Sequence, residues 1–239
     1  MLRKRLIATV VVKQGWAVQS FGFNQWLPLG KPECVVENLD RWGADGIVVL
    51  AIDRLNKGPD LELIQGLGSL GLSTPLTYGG GLQTAEDAKK AIGAGAERLV
   101  LDSLLSENLK AVSEMSAEIG VQALIASLPL VIDNDGNVLH FQHNSKKTTA
   151  INEGIKSLIA EQLVSEVLLI DVKGEGHRKG FKIQLLEEIQ KHTELPILVF
   201  GGMSEPKHIE ALLSKPQVAG ILIGNSLNYK ENSVYNIKQ

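Results

Sequence analysis

The sequence predicts an α/β fold of the (β/α)8 or TIM-barrel class, and three observations favour it. Short β-branched apolar runs recur along the chain, as expected of strands buried on both faces of a parallel sheet. Most of these runs are followed by a segment with helical periodicity. The length of 239 residues suits one barrel, so residues 1–239 are expected to form a single domain.

Eight apolar runs are expected to be the barrel strands. In chain order they are Leu6–Val12, Gly46–Ala51, Pro75–Tyr78, Arg98–Leu101, Ala123–Ser127, Val167–Asp171, Ile197–Phe200 and Gly220–Ile223. Amphipathic stretches between them are expected to be helices, among them Thr84–Ile92, Ser106–Glu118, Thr149–Val164, Lys182–His192 and Glu205–Leu213. Eight strands alternating with helices favour a closed barrel over an open doubly wound sheet.

Two connections depart from this alternation. Residues Lys13–Pro32, rich in Gly, Gln, Asn and aromatic residues, are expected to form a long structureless loop, which is typical of an active-site lid. Within Val131–Phe141, Asp135-Gly136 lies between alternating apolar residues and predicts a β-hairpin. Each connection follows a strand, so both are expected at the C-terminal, catalytic end of the barrel.

The chain also contains an internal repeat. The segment Pro75–Leu82 resembles Pro196–Met203, and each is followed by an amphipathic helix and another apolar strand. This similarity predicts two related half-barrels. The alternative is a chance similarity between two strand ends that carry glycine.

Glycines that follow strands predict two phosphate cradles at the barrel mouth. Glycine lets backbone N–H groups approach a phosphate closely, and a neighbouring helix N-terminus adds positive potential. One cradle is expected from Gly176, Gly201, Gly202, Gly224 and Asn225, and the other from Gly80, Gly81 and Ser103. Opposite cradles suit a small ligand phosphorylated at both ends, although Asp102 would place a negative charge beside the second of them. The alternative is that these glycines only form tight turns.

Composition and charge exclude several classes of function. The net charge of −3 gives no sign of a nucleic-acid surface, and Cys34, the single cysteine, cannot form a disulfide within the chain. The five histidines show no metal-ligand spacing, so neither a metal nor another cofactor is expected. No stretch approaches the roughly 20 apolar residues of a membrane span. A cytoplasmic protein without a membrane partner is therefore expected.

Three side chains are candidates for acid–base catalysis. Asp171 ends the sixth strand and Asp53 lies just past the second, where barrel enzymes place catalytic groups. His177, beside Glu175 and Arg178 in the sixth loop, is a candidate general base. The alternative for His177 is a solvated loop histidine.

A family resemblance runs from residue 1 to about residue 229. It is carried by Met1–Ile7, Val12–Gly15, Tyr78–Gly81, Gly95–Arg98 and Ser145–Lys147. These segments resemble the cyclase subunit family of imidazole glycerol phosphate synthase. The resemblance implies a partner glutaminase that hydrolyses glutamine. It also implies that ammonia crosses the barrel and reacts with a bisphosphorylated ribosyl-aminoimidazole compound. Lys146 and Lys147 are expected either to bind a distal phosphate or to begin an exposed helix.

The resemblance assigns the acid–base work to two aspartates, at the ends of the first and fifth strands. The residues that match them here are Val11 and Pro129, and neither can transfer a proton. A positioned acid or base contributes about 10²–10⁴-fold, so little lyase or cyclase activity is expected. Gln19 matches a substrate-binding lysine, and Ala51 matches an acidic residue.

The resemblance further implies an ammonia gate, a ring of two basic and two acidic residues at the N-terminal end of the barrel. Arg5, Arg98 and Glu166 match three members of this ring, and Gly46 replaces the fourth. Glu97 matches an acidic residue used in docking the glutaminase. The alternative is an ordinary group of surface salt bridges.

Three functions follow from these observations. The first is a divergent synthase component of a glutamine amidotransferase complex, which pairs with a glutaminase and channels ammonia to an acceptor. It resembles a branch encoded in bacterial surface-polysaccharide clusters. The second is a genuine cyclase, a lyase of histidine biosynthesis with relocated acid–base groups. The third is a non-catalytic barrel that binds a phosphorylated ligand. Loss of both aspartates beside a mostly retained gate favours the first.

Overall fold

Eight parallel strands close into a barrel in the computed structural model, which describes residues 4–203, 205–228 and 238. The strands are β1 (Arg5–Lys13), β2 (Trp16–Phe21), β3 (Gln25–Gly30), β4 (Gly46–Ala51), β5 (Leu76–Gly79), β6 (Arg98–Leu101), β7 (Leu124–Ile132), β8 (Val138–Gln142), β9 (Lys147–Thr149), β10 (Glu166–Asp171), β11 (Ile197–Phe200) and β12 (Val218–Ile223). The helices are α1 (Pro32–Arg41), α2 (Leu61–Gly68), α3 (Ala85–Gly93), α4 (Leu104–Glu107), α5 (Leu109–Ile119), α6 (Glu153–Ala160), α7 (Ile183–Gln190) and α8 (Pro206–Leu213).

The barrel runs in the order β1-β4-β5-β6-β7-β10-β11-β12, and β12 closes it by pairing with β1. The predicted TIM-barrel fold is thereby confirmed, with each strand where an apolar run predicted it. Alternate residues of each strand face the two sides of the sheet. One side, with Ile7, Val48, Val100 and Leu168, fills the barrel, and the other packs against the helices. No helix among the described residues is long and apolar enough to cross a membrane.

The expected structureless loop at Lys13–Pro32 is wrong. Strands β2 and β3 form an antiparallel hairpin there, and β2 pairs with the end of β1. In β2 the buried residues Val18 and Ser20 alternate with the half-buried Gln19 and Phe21, and Ala17 is buried as well. The Gly, Gln and Asn residues of the segment Lys13–Pro32 masked this short period-two pattern, which is the stronger signal for a strand.

The hairpin predicted around Asp135-Gly136 is present, since β7 continues past the barrel and pairs with β8. A third strand, β9, extends it. The alternative that Lys146 and Lys147 begin a helix is wrong, because Lys146 has a left-handed backbone (φ 57°) and Lys147 starts β9. Helix α6 begins only after Asn152, whose side chain accepts a hydrogen bond from the N–H of Gly154.

The two halves of the barrel repeat the same close backbone contact, as the internal repeat predicts. A Cβ atom at Gly81 (φ +70°) would lie 2.2 Å from the carbonyl oxygen of Gly58. A Cβ atom at Gly202 (φ +76°) would lie 2.5 Å from that of Gly180. Only glycine combines this backbone conformation with so close an approach. Both positions are therefore explained by the turn itself, whether or not a ligand binds.

Candidate functional site

The β2–β3 hairpin lies across the C-terminal mouth of the barrel and is tied to two loops. The side chain of Asn225 bonds twice to the backbone of Ser20, at 2.7 and 3.2 Å. One carboxylate oxygen of Glu175 accepts from the Ser20 hydroxyl and from the N–H of Phe23, both at 3.1 Å. Burial raises the pKa of Glu175. Phe23 is buried among the interior residues, with its ring centroid 6.3 Å from that of Phe200. The hairpin thus divides the mouth in two.

The predicted phosphate residues of the second half line one of these compartments. Gly176, Gly201, Gly202, Gly224 and Asn225 border a common cavity of about 20 Å³. That volume holds about one water molecule, which is less than a phosphate occupies. The side chain of Asn225 is already used by the hairpin, which leaves backbone groups as the anion donors.

The other compartment, of about 370 Å³, lies in the first half of the barrel and is the larger of these two, while a more open cavity of about 830 Å³ lies between the hairpin and the β7–β8 extension. The predicted residues Gly80, Gly81 and Ser103 line the compartment of about 370 Å³. The barrel interior contributes apolar side chains to its wall, and cationic and aromatic side chains come from the surrounding loops. Besides the three predicted residues, its wall includes Lys13, Trp26, Arg54, Val100, Asp102, Ser127, His143 and Lys146.

Asp102 is the one carboxylic acid that borders this larger cavity in the described part of the chain. It continues the inward-facing series of β6 that contains Arg98 and Val100. The hydroxyl of Ser127 donates to its Oδ2 atom at 3.1 Å. Desolvation is the main reason that its pKa is raised from 3.8 to about 6, and the bond from Ser127 and the charge of His140 oppose this rise. Sequence reasoning treated Asp102 only as an unfavourable charge.

This raised pKa predicts the sign of a pH effect on stability. The folded protein favours the protonated form of Asp102. This preference adds to the free energy of unfolding below about pH 4, and the added stability is lost as pH rises to about 6. The free energy of unfolding of Asp102→Asn, relative to the unsubstituted protein, is expected to increase across that window. Urea denaturation at a series of pH values measures it.

Asp133→Asn is the control, because hydrogen bonds led by the Asn137 side chain lower the pKa of Asp133. This variant is expected to lose stability relative to the unsubstituted protein as pH rises to about 4, which is the opposite sign in a lower pH window. If the difference in free energy of unfolding between Asp102→Asn and the unsubstituted protein did not change with pH, the raised pKa of Asp102 would be contradicted.

The predicted gate residues meet at the N-terminal end of the barrel. Arg5 donates to one carboxylate oxygen of Glu166, and Arg98 donates to the other. The Glu166 side chain is 9% exposed, so this is a largely buried carboxylate between two cations. Gly46, which starts β4 in the same layer, adds no side chain, and Glu97 is exposed beside Arg98.

The three predicted acid–base residues do not come together. Asp171 faces away from the barrel interior, and its Oδ1 accepts from the N–H of Gly174 at 2.9 Å. Burial raises its pKa. Asp53 accepts from the N–H of Gln14 at 3.0 Å. His177 is exposed on its loop, 6.0 Å from the Phe21 ring. None of the three borders the larger cavity.

Comparison with known proteins matches this barrel to a family model described as "Histidine biosynthesis protein" over residues 5–233. The chain belongs to this family. The "Imidazole glycerol phosphate synthase subunit HisF" of Sulfurisphaera tokodaii is 30% identical over 222 residues, covering 92% of this chain and 88% of the relative. The subunit of the same name from Sulfolobus acidocaldarius is 32% identical over 206 residues, covering 84% and 82%. That of Staphylococcus saprophyticus is 28% identical over 242 residues, covering 100% and 96%. The family resemblance expected from the sequence is confirmed.

Two apolar residues lie near the C-terminal ends of the first and fifth barrel strands of this histidine biosynthesis barrel. Val11 is buried among the interior residues and pairs with Val18 of the hairpin. Pro129 is buried in β7 opposite Ile170. Strand β6 pairs with β7 only as far as Ala126, so proline, which lacks an N–H, is tolerated beyond that point. Neither side chain can exchange a proton.

Proposed function

We propose that this barrel is the synthase component of a glutamine amidotransferase complex, with little cyclase activity of its own. In this proposal a glutaminase docks at the N-terminal end and forms a heterodimer with the barrel. Ammonia enters past Arg5, Arg98 and Glu166 and leaves at the C-terminal mouth toward an acceptor. The observation that carries the proposal is the ion ring, because a charged ring around a barrel axis controls the entry of a small polar molecule.

The interior of the barrel supports passage of a small neutral molecule. Above the ring the inward-facing side chains are mainly apolar, including Ile7, Val48 and Leu168. The hydroxyl of Thr9, two residues above Ile7, is buried without a hydrogen-bond partner among the described residues. An unpaired hydroxyl in an apolar interior is unfavourable, so it favours a passing molecule that bonds to it. Ammonia can donate to that oxygen, and the apolar wall disfavours ammonium.

Glu97→Lys tests docking at the N-terminal end. The change replaces an attractive rim charge with a repulsive one, so it is expected to weaken the complex with the glutaminase subunit. The loss should appear mainly in the association rate and should depend on salt concentration. Surface plasmon resonance with a glutaminase subunit of imidazole glycerol phosphate synthase measures both rates. In contrast, Arg5→Ala is expected to leave docking nearly intact and to reduce the ammonia delivered per glutamine hydrolysed.

Two variants control this experiment. Glu97→Gln keeps the acceptor that bonds the N–H of Leu76 at 3.3 Å but removes the charge, so it separates charge from local structure. Asp135→Lys makes the same charge change on the hairpin turn at the opposite end of the barrel and should not affect docking. No binding by the folded, unsubstituted protein, or equal weakening by Glu97→Lys and Asp135→Lys, would refute the docking proposal.

One observation favours the second candidate, a genuine cyclase with relocated acid–base groups. Asp102 supplies a carboxylic acid at the larger cavity, beside the strand that carries Pro129. Asp102 is a single acid–base group, whereas the family resemblance implies two catalytic aspartates. Turnover with the cyclase substrate decides between these candidates, as described in the Discussion.

A further inference from the structure

The buried carboxylates of the described residues differ in what they contact. Glu166 lies between two arginines, Glu175 holds the hairpin, and Asp171 is bonded by its own loop. Each has a structural role, although Oδ2 of Asp171 is buried without a hydrogen-bond partner among the described residues. Asp102 is half-buried and differs in its position, because it borders the cavity and Asp171 does not. Its Oδ2 accepts from Ser127, and its Oδ1 receives no hydrogen bond within the described ranges.

Two cations border the same cavity from separate loops. Lys13 lies at the end of β1, with its ammonium group 2.9 Å from the centroid of the Trp26 ring. Lys146 lies in the turn before β9, 5.9 Å from the Phe141 ring. Among the described residues neither forms a salt bridge, whereas the Arg54 guanidinium is used by its own loop. The two lysines are thus available to an anionic ligand.

We propose that this cavity is a proton-coupled site for a small anionic ligand, in which Lys13 and Lys146 bind the anionic group and Asp102 transfers a proton to the ligand. Binding of the anion draws a proton from solvent onto the Asp102 carboxylate, because two negative charges in one cavity repel each other. The carboxylic acid then donates that proton to an oxygen or nitrogen of the ligand and becomes a carboxylate again. Solvent restores the proton after release. This activity goes beyond the proposed function, since it needs neither a glutaminase nor ammonia.

The groups around Asp102 allow both of its protonation states. His140 of β8 favours the carboxylate, whereas Glu107 of α4 and desolvation favour the acid. Burial lowers the pKa of His143, which also lines the cavity, to about 4, so it is neutral near pH 7. Lys13, Arg54 and Lys146 complete the charged groups of the cavity wall. A proton-transfer group works best when its pKa lies near the working pH.

Inorganic sulfate is a suitable probe, because it is a tetrahedral anion that does not titrate near neutral pH. Its dissociation constant is measured by calorimetry between about pH 5 and 8, in buffers that differ in ionisation enthalpy. The unsubstituted protein is expected to bind sulfate with net proton uptake and about tenfold more weakly at the upper pH, which corresponds to a one-unit coupling. Asp102→Asn is expected to bind sulfate without proton uptake. Its affinity at pH 8 should equal its affinity at pH 5 and match the tighter binding that the unsubstituted protein shows at pH 5.

Three further variants make this test specific. Lys146→Ala should weaken sulfate binding, whereas Lys147→Ala, the next residue but outside the cavity wall, should not. Ser127→Ala removes a hydrogen bond that favours the carboxylate, so it should move the midpoint of the pH dependence upward. The proposal is overturned by an absence of sulfate binding, by a pH dependence that survives in Asp102→Asn, or by equal effects of the two lysine variants. Failure of glutaminase docking leaves each of these outcomes unchanged.

Discussion

We expect the purified protein to turn over the bisphosphorylated aminoimidazole substrate very slowly when ammonia is supplied. The rate should lie about 10²–10⁴-fold or more below that of a cyclase subunit that has both aspartates. The physical reason is that Val11 and Pro129 lie near the C-terminal ends of the first and fifth barrel strands, and neither exchanges a proton. Asp102 supplies one carboxylic acid and no second group. Consumption of the substrate, followed by its ultraviolet absorbance, measures the effect against the Sulfolobus acidocaldarius relative.

The double variant Val11→Asp, Pro129→Asp is the matched test of this explanation. Each new carboxylate would lie at the mouth of the barrel, so part of the missing turnover is expected to return. Substituting Val11 alone should return less, because acid and base act as a pair. Turnover of the unsubstituted protein close to that of the relative would contradict the proposed function. It would direct attention to Asp171, Asp53 and Asp102 as relocated acid–base groups.

Glu166→Ala is expected to lower the free energy of unfolding by about 3–5 kcal/mol, the usual result of removing one partner from a buried ion pair. Arg5 and Arg98 would be left facing each other without a counter-charge at the end of the barrel. Their side chains are 29% and 21% exposed, so solvent should keep the loss toward the lower end of that range. Chemical denaturation with urea measures the change.

The exposed pair of Arg41 and Glu37 on α1 provides the control. Their side chains are 67% and 46% exposed, and such pairs contribute at most about 1 kcal/mol. Glu37→Ala should therefore have little effect. A similarly small effect of Glu166→Ala would identify the ring as an ordinary surface salt-bridge group, and would remove the observation on which the ammonia gate depends.

The fold was predictable because each barrel strand is a short apolar run with little competing signal. Ile197–Phe200 and Gly46–Ala51 were predicted with the bounds that the structure has. The hairpin in Lys13–Pro32 was not, because its polar composition obscured the alternation of β2. That error also hid the division of the mouth, since only a folded hairpin places Phe23 against Phe200.

The candidate site was predictable where it depends on backbone geometry and less so where it depends on side-chain contacts. The two glycine cradles follow from strand ends and the ion ring follows from the family resemblance, and the structure brings the members of each together. Asp171 was a reasonable candidate from its place at a strand end, but sequence alone does not show that its loop folds back onto the carboxylate. Every second residue of a strand faces the same side, so an inward-facing Arg98 would have placed Asp102 inside the barrel mouth.

The outer strand of the hairpin has a consequence for how the protein behaves in a crowded cell. Strand β3 pairs only with β2 among the described strands, and it exposes Trp26, Leu27 and Leu29. An open edge of this kind is a template on which another chain can add a strand and begin to aggregate. Pro28, in the middle of β3, has no N–H to offer and interrupts the row of donors. Pro28 therefore makes this exposed edge of the hairpin a poorer template for a neighbouring molecule.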